Sequence, residues 1–60
     1  MHEDDAIAAA QKLLKQDATV ATAKALEALE KHISADKFGH LWEAFMASAP
    51  IEVVIALNNQ

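Results

Sequence analysis

His32, Asp36, His40 and Glu43 follow one another at spacings of four, four and three residues, separations that bring side chains to one side of a helix. Two imidazoles and two carboxylates on such a line are candidate metal ligands. The line needs a single helix to carry all four, and the helix boundary expected between Ser34 and Asp36 breaks it. We therefore read these residues as a solvated polar face, with no metal and no cofactor. The opening "MHEDD" holds a second acidic group, which the positive end of a helix dipole accounts for without a ligand. Nucleophilic catalysis needs a Cys, or a Ser or Thr beside a base with an orienting group. The chain has no Cys, and Ser34 and Ser48 sit at expected helix starts, where capping explains them. No catalytic residue is assigned and no enzymatic activity is expected.

The remaining chemistry is apolar. Phe38, Leu41, Trp42, Phe45 and Met46 occupy positions i, i+3, i+4, i+7 and i+8, a single helical face that holds every aromatic residue of the chain. Such a stripe is either core or a groove for a partner. Gly39, His40 and Glu43 fall on the other side. A glycine there costs about 1 kcal/mol relative to alanine, so it either faces water at a loss or lets another backbone come close.

These residues must be positioned by helices. Between Asp5 and Phe38 there is neither Gly nor Pro, and Ala, Leu, Lys, Glu and Gln dominate. A heptad seam begun by Ile7, Ala10 and Leu14 fails at Asp17 and Lys24, and a second register starts at Leu26, Leu29 and Ile33. "QDATVAT" lies between them, with Asp17 as a capping residue and three β-branched residues that weaken a helix. The expectation is two helices, residues 5–16 and 18–33, with one kinked helix as the alternative. Ser34 or Asp36 then caps a third helix over 36–48. In "SAPIEVVIALNNQ", Pro50 suits a helix start and Glu52 complements the dipole there. The β-branched "IEVVIAL" also fits a strand, but a lone strand has no partner within a helical chain. A fourth helix over 50–58 is expected, ending near Asn58 or Asn59. Ile51, Val54, Ile55 and Asn58 share one of its faces, and Val53 and Leu57 point elsewhere.

Sixty residues allow one domain, and a chain of this size buries only about 60% of its unfolded surface. Small domains commonly compensate with disulfides, metals or oligomers, and the absence of Cys removes the first. Fourteen of the 32 hydrophobic residues are alanine, which favours helix but buries little area. Ten of the seventeen large apolar side chains other than Met1 lie from Phe38 onward, and twelve of the fourteen charges lie before it. That segregation is hard to satisfy in a monomer. The first two helices can cover the Phe38 stripe, whereas the run begun at Pro50 needs cover on several sides.

A net charge of −4 with no arginine argues against direct nucleic-acid binding, which needs clustered cations. Glu43 and Glu52 interrupt the apolar tail well short of the roughly 18 residues of a membrane span. No signal-peptide pattern opens the chain, and a cytoplasmic location is expected.

At "AFMASAPIEVVIAL", residues 44–57, the chain resembles the Ead-type early accessory proteins of lambdoid phages, in which an Ala-rich helix reaches a proline followed by an apolar "PxxVhxhL"-like run. Ala47, Ala49, Pro50, Val53, Val54 and Leu57 carry the likeness. The resemblance implies a small, partly helical or coiled-coil protein that self-associates and has no established enzymatic role. The charged coiled-coil extension that follows in that pattern is missing here.

The expected protein is thus all-α, a small bundle of three to four short helices completed by oligomerisation, most simply as a dimer. Its interaction surface is expected to comprise Phe38, Leu41, Trp42, Phe45 and Met46 on the third helix and Ile51, Val54 and Ile55 on the fourth. The alternative is an acidic inhibitor or adaptor docking on a larger enzyme or a basic nucleic-acid-binding surface.

Overall fold

In the computed structural model, which describes residues 1–60, four helices follow one another without a strand: α1 (Glu3–Leu14), α2 (Val20–Ala28), α3 (Ala35–Ser48) and α4 (Ile51–Asn58). A 3₁₀ turn over Glu30–His32 joins α2 to α3. The chain is an all-α bundle, elongated to 32 × 20 × 16 Å. No helix is long and apolar enough to cross a membrane.

Helix α1 starts with Glu3, Asp4 and Asp5 in its first turn and carries Lys12 in its last, both favourable to the dipole. It begins two residues earlier than expected because this acidic turn is itself helical. Ala6 and Ala10, one turn apart, are fully buried. Their small side chains let α2 and α3, both of which pack on α1, come close to its backbone. The end of α1 tightens, with the Lys15 and Gln16 amides donating to the Lys12 and Leu13 carbonyls at 3.1 Å, a 3₁₀-type closure.

Two separate helices replace the alternative of one kinked rod, and the second is capped by Thr19 rather than Asp17. The Thr19 hydroxyl accepts the Thr22 amide at 3.2 Å, and the Thr22 hydroxyl oxygen accepts the Thr19 amide at 2.8 Å. This reciprocal pair is a capping box in which threonine stands at both positions. The expected helix 18–33 is therefore shorter at both ends. After Ala28 the chain passes into the 3₁₀ turn, then through an extended Ile33 (φ −126°, ψ 138°). That extended residue places the Ile33 side chain in the core.

Helix α3 begins at Ala35 with Ser34 as N-cap, but the Ser34 side chain makes no capping bond. Pro50 forces Ala49 out of the helical region (ψ 138°), and α4 starts immediately after it, the Val53 and Val54 amides donating to the Pro50 carbonyl. The apolar run after Pro50 is thus helix, not strand. Asn59 ends α4 at φ −96°, and no residue anywhere in the chain has positive φ. The one glycine is therefore not spent on a turn.

Seven residues form the core, namely Ala6, Ala10, Ala23, Leu26, Ile33, Phe38 and Phe45. Three are alanines, and Phe45 and Leu26 are the largest that are fully enclosed. No buried side-chain nitrogen or oxygen lacks a hydrogen-bond partner, as expected where no polar side chain is buried.

Candidate functional site

The eight residues expected to form an interaction surface are divided by the fold. Phe38 and Phe45 are buried in the chain's own core, and Leu41, Trp42 and Met46 are half-buried against it. The aromatic residues stack along α3, with ring centroids 6.1 Å apart for Phe38 and Trp42 and 5.6 Å apart for Trp42 and Phe45. Most of the stripe is thus internal cover for α1 and α2. On α4 the half-buried Val53 and Leu57 pack against the core beside Ala49. Val54 is half-buried, while Ile51 and Ile55 stand 68% and 53% exposed. One helical turn separates these two isoleucines, which with Met1 are the exposed large hydrophobic residues of the chain.

A second feature lies between α2 and α3. An open groove of about 420 Å³ is lined by Glu27, Glu30, Ala35, Phe38, Gly39 and Trp42. Sequence spacing put Gly39 on the side away from the stripe. The structure places it in this groove with Phe38 and Trp42, and a Cβ at Gly39 would meet nothing within 4 Å. No part of the chain requires glycine at that position. Glu27 and Glu30 were not singled out by sequence, because their role in the groove depends on how α2 and its 3₁₀ turn meet α3.

The candidate ligands do not assemble. His32 lies in the 3₁₀ turn while Asp36, His40 and Glu43 lie on α3, so the helix break divides the line. Nowhere do three or more His, Asp or Glu side chains gather in a way that could hold a metal ion. Ser48 donates its hydroxyl to the Phe45 carbonyl at 3.0 Å, a local helix bond. The one ion pair in the chain joins Glu3 to Lys37 at 3.2 Å, tying the start of α1 to the first turn of α3. The Glu3 carboxylate also accepts the Ser34 backbone amide at 2.7 Å. That amide bond, then the Lys37 ammonium, holds the Glu3 carboxyl below its ordinary value.

No family model, no curated protein and no solved structure matches the chain.

Proposed function

We propose that this chain is a non-catalytic protein–protein interaction module that self-associates as a dimer through the outer face of α4. The observation that carries this reading is the pair Ile51 and Ile55, which expose 68% and 53% of their surface on one side of an eight-residue helix. Water-facing isoleucines one turn apart gain free energy when covered. Val54 borders them. The small core adds a second motive, since a chain with few buried large side chains has a thin stability margin that association widens. A standard interface takes about 800 Å² from each partner, roughly a fifth of the 4062 Å² this chain exposes. An isologous dimer pairs the same face of both copies. Zero cysteines suit a reducing compartment, and the cytosol is the location this reading assigns. The self-association of the Ead-type proteins that residues 44–57 resemble agrees with it.

Association couples stability to concentration. The melting temperature of the wild-type protein should rise with protein concentration, and that of an Ile51→Lys, Ile55→Lys double variant should not. A wild-type melting temperature independent of concentration overturns the reading.

A further inference from the structure

We propose that the groove between α2 and α3 is a docking site for a cationic amphipathic segment of another protein, one that presents a Lys or Arg beside a large apolar side chain. This surface shares no residue with the Ile51 and Ile55 face and does not depend on it.

Three local choices in the groove work against the stability of the isolated chain. Gly39 sits inside α3 without any steric need for glycine, although alanine there favours helix. Glu27 sits in the last turn of α2, which carries no basic residue, so its charge adds to the negative end of the helix dipole. Glu30 follows Glu27 by three residues, in reach of like-charge repulsion. The only ion pair in the chain is elsewhere: Lys24 and Lys31, three residues before and four after Glu27, make no close pair with either carboxylate. Unfavourable local choices that converge on one place are what a functional surface leaves behind.

The chemistry of the groove names its occupant. Two unpaired carboxylates and the dipole of α2 make one wall negative, while Phe38, Trp42 and Ala35 on α3 make the other apolar. A Lys or Arg lays its aliphatic stem on apolar surface and keeps its charged head among acceptors. The volume of about 420 Å³ falls within the roughly 300–1,000 Å³ of binding clefts. The missing Cβ of Gly39 allows the visiting backbone to approach α3.

Trp42 is the only tryptophan, so intrinsic fluorescence reports on the groove. The probes are two capped helical peptides of equal length, one of Leu and Lys and one of Leu and Glu. The Leu/Lys peptide should shift Trp42 emission saturably, more weakly as salt rises, and the Leu/Glu peptide should not. Glu27→Gln with Glu30→Gln should weaken binding by about tenfold. Asp17→Asn with Glu52→Gln removes the same charge away from the groove, ahead of the opposite end of α2 and on α4, and should leave the affinity unchanged. Circular dichroism of each variant checks that it folds. Equal losses in the two double variants, equal binding of both peptides, or no saturable shift overturns the proposal. So does a Trp42 emission that moves when the Ile51→Lys, Ile55→Lys variant alone is diluted, which would put a second copy in the groove.

Discussion

The Glu3 carboxylate accepts the Ser34 backbone amide at 2.7 Å, performing from α1 the task that a glutamate three residues after Ser34 performs in a capping box. The residue that does stand there is Lys37, and its ammonium pairs with the same carboxylate at 3.2 Å. Because the N-cap bond is supplied by a residue 31 positions away, the start of α3 depends on the docking of α1. Secondary and tertiary structure are coupled at this one point.

The coupling makes stability depend on pH. Glu3 titrates below its ordinary value of 4.5 in the folded chain, so the folded state binds its proton less readily than the unfolded state does. The contribution of Glu3 is complete above about pH 4.5 and is lost as pH falls through the lower folded value. Thermal melts between pH 7 and pH 3 should show the wild-type protein losing more stability than Glu3→Gln. Parallel losses would show that the Glu3 contacts do not contribute.

Gly39→Ala should stabilise the chain. A Cβ at Gly39 meets nothing within 4 Å, and the exchange in a helix interior is worth about 0.5–1 kcal/mol. The melting temperature should rise; a fall would mean that the groove closes over this position in the isolated chain.

Thr19→Ala removes the hydroxyl that accepts the Thr22 amide and should cost about 1 kcal/mol. Hydrogen exchange read residue by residue should show the loss first in the opening turn of α2. Unchanged protection there would show that packing, not the cap, fixes the start of that helix.

Phe45→Ala should unfold the chain at room temperature or nearly so. Phe45 is 1% exposed, and removing a buried phenylalanine costs about 3–5 kcal/mol, comparable to the whole stability of a domain this small. Loss of the helical circular dichroism signal checks this. Trp42→Ala removes a half-buried ring that stacks on both Phe38 and Phe45 and should also destabilise the chain. An unchanged melting curve would make the stripe peripheral.

The elements were legible in the sequence because their signals are local. Apolar spacing from Phe38 to Met46 marked α3, and Pro50 marked the entry to α4. The failures arose where a distant or cooperative contact decides the outcome. Asp17 is a good capping residue by type, yet Thr19 and Thr22 satisfy each other in both directions, which a single side chain cannot match. Ser34 is the N-cap of α3, but its amide is held by Glu3, and nothing near Ser34 announces that. Spacing put Ile51, Val54, Ile55 and Asn58 on one face of α4 and Val53 and Leu57 elsewhere; Val53 and Leu57 pack on the core, and of the first group Ile51 and Ile55 stand exposed while Val54 is half-buried. It also showed that the first two helices could cover the Phe38 stripe. It could not show that Phe45 would be wholly enclosed while Phe38 keeps an edge in the groove, nor that Glu27 and Glu30 would border Trp42, since these follow from the path of α2 past α3.

Self-association through α4 is tested most directly by the mass of the protein in solution. Light scattering at micromolar concentration should give about twice 6.5 kDa for the wild-type chain and the monomer mass for Ile51→Lys, Ile55→Lys. A wild-type chain that scatters as a sharp monomer and melts cooperatively would contradict the account.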